Sequence, residues 1–181
     1  MESQVLNALA HQLTSVLETW LSENTNNWWQ SVVIDKLTFQ QQAYAKNYGI
    51  QSLDQLDIAA LLRVVDQNWF ELSQHLNLAR DDRNWLKEAQ SIRNRWAHAP
   101  AAGLDVEMLY RDLDTIERLQ KAFGAQTDDL ACVQDEKQKT LSTFSNNKND
   151  GLAIKETNQT ESPNLFKLGD IIRLKADSTV T

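Results

Sequence analysis

Apolar side chains recur at Val5, Leu6, Leu9, Leu13, Val16, Leu17, Trp20 and Leu21, the three-and-four spacing that lays one buried stripe along a helix over 3–24. The Asn-rich stretch 23-ENTNN-27 breaks that pattern. Trp28, Trp29, Val32, Val33 and Leu37 then predict a shorter helix, followed by a less regular 38-TFQQQAYAKNYG-49. Residues 56–76 carry Ile58, Leu61, Leu62, Val65, Trp69 and Leu72 at helical spacing and predict one long core helix, with Asp54 or Asp57 placed to cap its start. Residues 79–99 predict the next helix. Its first turn holds 80-RDD-82, where acidic groups suit the helix dipole, and Pro100 follows it, where the ring disfavours helical geometry at Ala99. After the break 100-PAAG-103, Asp105 caps a further helix bearing Val106, Leu109, Leu113, Ile116, Leu119 and Phe123, which Gly124 stops. The expected fold class is all-α, a four- to five-helix bundle over residues 1–125.

The pattern changes at Ala125. Residues 126–163 are dominated by Gln, Thr, Asp, Asn, Lys and Ser, a composition that buries too little apolar surface to offset chain entropy and so predicts a flexible linker. Residues 164–181 include 165-LFKLGDIIRLK-175, partly alternating and β-like, with Phe166, Leu168, Ile172 and Leu174 on one side. A lone strand is not stable in water without partners. The segment is therefore expected to begin a further domain or, less favoured, to pair with another chain.

Composition and charge sharpen this picture. All six tryptophans fall between Trp20 and Trp96, which puts the core in the first two thirds of the chain. The single cysteine, Cys132, excludes an internal disulfide framework and any multi-cysteine metal site. No basic start with a continuous apolar run marks a signal peptide, and no stretch approaches the roughly 18 apolar residues of a membrane helix, so a cytoplasmic protein with no membrane partner is expected. The formal net charge of −7 argues against broad adhesion to nucleic acid or anionic membranes, because phosphate binding needs clustered Lys and Arg. Any RNA site must be local.

One helix meets that condition. Between positions 79 and 99 stand five basic residues (Arg80, Arg83, Lys87, Arg93, Arg95) against three acidic ones (Asp81, Asp82, Glu88). With about 100° per residue, Trp85, Ala89, Ile92 and Trp96 form a core stripe, while Arg93, Gln90, Asn94, Lys87 and His98 share a different face. His98 falls in the last turn, beside the helix end whose partial negative charge suits a cation. Metal-independent cleavage of RNA needs a group that moves a proton at the 2′-hydroxyl or the leaving oxygen, and a fixed cation for the charge on the phosphorus centre. A histidine can do the first, a guanidinium forked onto two phosphate oxygens the second, and an asparagine can orient either.

The motif Arg93-Asn94-x-x-x-His98, together with 56-LDIAALLRVVDQNWFELS-73 and 84-NWLKEAQSIRNRWAHAP-100, resembles the R-x4-6-H signature and bundle of the HEPN superfamily. It looks most similar to the HEPN variant at the N-terminus of helicase-like or ATPase proteins of bacterial defence loci, related to the HEPN domain of a eukaryotic transcript-surveillance endonuclease. The resemblance spans residues 1–125 and implies an endoribonuclease in anti-phage defence or RNA handling. It implies further that Arg93 contacts the scissile phosphate, His98 acts as acid or base and Asn94 supports or positions them; Lys87, Gln90 and Arg95 on the same helix are the candidates for added RNA contacts. Two copies facing each other would complete the site, so a homodimer is expected, with RNA as substrate and helicase or ATPase domains attached or as partners.

Rival readings stand beside it. The bundle could be a catalytically silent dimerisation or RNA-binding module, or a partner of a nucleotidyltransferase, although the carboxylates such a transferase needs are missing here. His11 and His75 are isolated on helices, and Asp66, Asn68 and Glu71 are expected on a solvated face, the other reading being that Asp66 or Asn68 supports the motif from behind. No glycine-rich phosphate loop, Ser/His/Asp set or metal-ligand spacing occurs, so no cofactor and no metal site are implied.

Overall fold

The computed structural model describes residues 2–22, 28–99 and 103–157. The chain divides into two compact units, Met1–Phe144 and Ser145–Thr181, and the described part of the second, 145–157, is helical. Among the described residues the elements are helical turns and helices with no strand, so the expected all-α class is the one observed.

Helix α1 spans Glu2–Ser22 and buries Val5, Leu9, Leu13, Leu17, Trp20 and Leu21, one stripe as the periodicity requires. The Asn-rich break at 23–27 lies outside the described residues. The helix expected from Trp28 to Leu37 is instead a π-helical turn, Trp29–Val33, and a 3-10 turn, Ile34–Lys36. The β-branched run Val32, Val33, Ile34 loses rotamer freedom in a regular helix, and the irregular path buries Val33 and Leu37. Helix α2, Phe39–Tyr48, opens on a capping box: Gln41 N–H donates to Thr38 Oγ1 at 3.2 Å and Thr38 N–H donates to Gln41 Oε1 at 3.0 Å. Gly49, at φ 64°, closes it in the left-handed conformation that favours glycine.

The long helix expected over 56–76 is divided into α3, Ile58–Gln67, and α4, Trp69–Leu76. Asn68 divides it. Its side-chain amide donates to Val32 O at 2.9 Å and Val64 O at 2.8 Å, which ties the preceding irregular turns to the break. The cap of α3 is Asp57, whose carboxylate accepts from Ala60 N–H at 2.8 Å. Helix α5, Asp82–Ala97, starts three residues later than its apolar pattern; there the buried Asp82 carboxylate accepts from Ala79 N–H at 2.7 Å. Pro100 lies outside the described residues. Helix α6, Val106–Ala122, has Asp105 as its cap and ends at Gly124, φ 79°.

The linker expected from residue 126 is, over Thr127–Thr157, helix α7. Leu130 and Val133 join the apolar core, and Glu136 and Thr140 continue the same buried stripe at helical spacing. Lys137 reaches across to α6, 2.7 Å from Asp114 and 2.6 Å from Glu117. Composition hides such a helix because two apolar residues and one ionic ladder dock it while its other faces stay polar. The β-like segment 164–181 lies outside the described residues. In the bundle, α5 packs on α3 and α6, and α1 packs on α3 and α6, around a core that includes Leu61, Leu62, Leu86, Ile92, Leu113 and Ile116. No described helix is long and apolar enough to cross a membrane.

Docking of α7 gives two predictions. Leu130→Ala is expected to lower the unfolding free energy by about 2 kcal/mol or more, read from urea denaturation; an unstructured linker at that position would give no change. The second concerns pH. Burial pushes the Glu117 carboxyl up, but hydrogen bonds from Lys121, Lys137 and Gln134 overcome this and hold it at about 2, against an ordinary 4.5. Because the folded value is the lower one, the stabilisation from Glu117 is present above about pH 4.5 and is lost as pH falls toward about 2. The stability difference between wild type and Glu117→Gln should therefore shrink across that window in urea melts at successive pH values; a difference that stays constant contradicts the assignment.

Candidate functional site

Helix α5 presents chemically distinct faces. Leu86, Ala89, Ile92 and Trp96 are buried in the core, and Trp85, expected in the same stripe, is partly buried with the Arg118 guanidinium 6.0 Å from its ring centre. A second face meets α6 through Asp112, which is 1% exposed. Its carboxylate accepts from Arg95 Nε at 3.1 Å, Arg95 Nη2 at 2.6 Å and Trp96 Nε1 at 2.8 Å. A third face, bearing Arg83, Lys87, Gln90 and Arg93, turns toward α3. There Asp66 accepts from Lys87 Nζ and, at 3.3 Å, from Arg83, and Gln90 Nε2 donates to Leu62 O at 3.3 Å. Burial pushes the Asp66 carboxyl up, and the two cations more than offset this, leaving it below the usual carboxylate range.

Above this contact lies a cavity of about 320 Å³ whose lining includes Arg63, Asp66, Lys87, Gln90, Arg93 and Asn94. Its three cations are not equally engaged. Arg63 Nε donates to Lys36 O at 2.7 Å and Lys87 is paired with the buried Asp66. Arg93, by contrast, makes long contacts, with Asn94 Oδ1 at 3.3 Å and Asp57 Oδ2 at 3.4 Å, and Asp57 is itself 60% exposed. A guanidinium carries five N–H donors in a planar fork. Arg93 is thus the cation best placed to exchange a loosely held, solvated carboxylate for a phosphate.

The structure brings four of the six sequence-derived site residues to this cavity: Arg93, Asn94, Lys87 and Gln90. His98 caps the C-terminus of α5, with its N–H donated to Arg95 O at 3.2 Å; its side chain is exposed, and it is not among the residues lining the cavity. Arg95 is placed elsewhere. It lies about 200° around the helix from Arg93, holds Asp112, and borders a cavity whose lining includes Glu88, Asp105 and Glu107. Hydrogen bonds from Arg95 to Asp112 raise the guanidinium above its ordinary value. With its fork committed to Asp112, Arg95 lies outside the lining of the cavity that holds Arg93.

Asp66 and Asn68, expected on a solvated face, are 5% and 2% exposed, whereas Glu71 is exposed. Periodicity counts a carboxylate as polar and cannot see that two cations await it on another helix. Arg63 and Asp57 were missed as site residues. A signal existed for Arg63, a lone charge in the apolar run 58-IAALLRVV-65; for Asp57 the capping role was legible and the Arg93 contact was not. His11 and His75 are exposed on α1 and α4. Among the described residues, no group of three or more His, Cys, Asp or Glu is placed to hold a metal ion.

A family model described as Swt1-like HEPN matches residues 4–124, the stretch from α1 to the end of α6 that builds the cavity. Comparison with curated proteins and with solved structures gave no match. The family match takes in about two thirds of the 181 residues, including every residue named in the cavity. On that match and this helical bundle, the chain belongs to the Swt1-like HEPN family.

Proposed function

We propose that this HEPN domain is a metal-independent endoribonuclease whose site is completed by a second copy of the chain. Family membership supports the coarser statement of an RNase-type or RNA-binding module. The observation that carries the finer one is Arg93: a guanidinium beside Arg63 and Lys87, held by contacts of 3.3 and 3.4 Å that a phosphate can replace. In the proposed reaction the 2′-oxygen of one nucleotide attacks the adjacent phosphorus. The 2′-hydroxyl gives up its proton, the bond to the 5′-oxygen breaks with protonation of that oxygen, and the products are a 2′,3′-cyclic phosphate and a 5′-hydroxyl. Arg93 takes the charge on the non-bridging oxygens and Asn94 orients Arg93.

His98 moves protons, and its position is the reason for invoking a second copy. It stands about 7.5 Å farther along the helix axis than Arg93, outside the residues that line the Arg93 cavity. One chain therefore offers one imidazole, whereas in-line cleavage is served by a base and an acid on opposite sides of the phosphorus. A two-fold axis through the α5 termini would supply two. A cytoplasmic role in anti-phage defence or RNA handling, with helicase or ATPase domains attached or as partners, belongs to the same proposal and rests on the resemblance described above.

The contact between Arg93 and Asp57, together with the net charge of −7, favours one second reading: a dimerising, RNA-binding module that does not cut. Cleavage separates the two. The purified chain is expected to be a dimer by light scattering and to release 2′,3′-cyclic phosphate ends from mixed RNA in EDTA. Arg93→Ala and His98→Ala should each reduce the rate by about 10²-fold or more. Binding without cyclic phosphate selects the silent module, and unchanged cleavage by His98→Ala contradicts the role given to the imidazole.

A further inference from the structure

Helix α2 buries a single residue, Ala45, yet carries three aromatic side chains in solvent: Phe39, Tyr44 and Tyr48 are 85%, 56% and 71% exposed. Scattered exposed apolar residues are ordinary; rings grouped beside a cavity are informative. Tyr44 and Tyr48, one turn apart, have ring centres 4.4 Å apart with planes tilted by 36°. Tyr44 also lines a cavity of about 450 Å³ together with Leu37, Ile50, Gln41, Gln55 and Asp57. That cavity adjoins the cationic one: Gln41 lines both, and Asp57 is the partner of Arg93. Among the described residues the Nε2 groups of Gln41 and Gln55 donate to nothing, while their Oε1 atoms are taken by Thr38 and Gln51.

We infer that the Tyr44–Tyr48 face and the cavity beside it form a base-binding subsite for single-stranded RNA, receiving the unpaired nucleobase next to the phosphate held by Arg93. The inference rests on the reading of Arg93 as a phosphate ligand and adds to it the form of the substrate. Every base has a flat π-face for which exposed aromatic rings are the sequence-tolerant partner. Its edge carries oxygen and ring-nitrogen acceptors that match two amide NH₂ donors. The backbone must meet a cation, which the adjoining cavity supplies through Arg93. A base inside a duplex keeps its faces stacked and cannot enter such a subsite.

The test uses the full chain and a fluorescently labelled, 2′-O-methylated oligoribonucleotide that cannot be cut. Three forms are compared by anisotropy: the single strand, the same strand in a duplex, and the same strand with abasic sites. Wild type should bind the single strand about tenfold more tightly than the abasic strand. Tyr44→Ala and Tyr48→Ala should each remove most of that margin and leave abasic binding unchanged. Tyr44→Phe should keep it, because the ring and not the hydroxyl stacks. Arg93→Ala should weaken all three forms and lower the salt slope by about one. Equal wild-type affinity for intact and abasic strands, or tyrosine variants that bind like wild type while Arg93→Ala weakens, overturns the subsite and leaves the phosphate reading standing. Failure of wild type to bind any form overturns that reading and the subsite with it. A tyrosine variant that turns a dimer into a monomer at unchanged affinity per chain assigns the face to a second copy and overturns the subsite.

Discussion

The orientation of α5 rests on a carboxylate buried between it and α6. Asp112 is 1% exposed and accepts three hydrogen bonds from two consecutive residues of α5, Arg95 and Trp96. A charge that deep is costly unless paired, and leaving one unpaired costs about 3–5 kcal/mol, so the network tolerates one rotation of α5 about its axis. Asp66 does the same from α3 through Lys87 and Arg83. Held by one carboxylate on each side, α5 can place Leu86, Ala89, Ile92 and Trp96 in the core and still turn Arg93 into the cleft beside α3.

This constraint also explains how an acidic chain can offer a cationic site. Lys87, Arg83 and Arg95 are drawn into ion pairs that settle the helix, and these consume much of the excess of basic residues on α5. What remains on α5 is Arg93, which lines one cavity with Arg63 of α3. The Asp57 carboxylate fits the same account. It caps α3, and by lying 3.4 Å from one Nη of Arg93 it gives the guanidinium a loosely held, exposed counter-charge.

Much of the bundle was legible because its signals are local. The four-residue spacing along α1, the caps at Asp57 and Asp105, the stop at Gly124 and the shared polar face of Lys87, Gln90, Arg93 and Asn94 each follow from neighbours in sequence. The misses depend on partners distant in sequence. Asn68 divides the helix expected over 56–76 by bonding a carbonyl 36 residues away. Helix α7 is held by Leu130, Val133 and a lysine whose partners lie on α6. Arg95 was grouped with RNA contacts by charge, although its angle from Arg93 already placed it on the other side; the buried acid that claims it cannot be told from a solvated one by periodicity. His98 was legible as a helix terminus, while its separation from the Arg93 cavity needed the fold.

The cleft-facing side of α5 is proposed to grip RNA through Arg93 while Arg95 stays committed to Asp112. Nitrogen-15 NMR of the arginine Nε–Hε signals, followed during titration with an uncleavable single-stranded oligoribonucleotide, reads the two guanidinium groups separately. Such a grip requires the Arg93 signal to shift to saturation while that of Arg95 stays in place. A stationary Arg93 signal, or a shift of Arg95 in its stead, would contradict it.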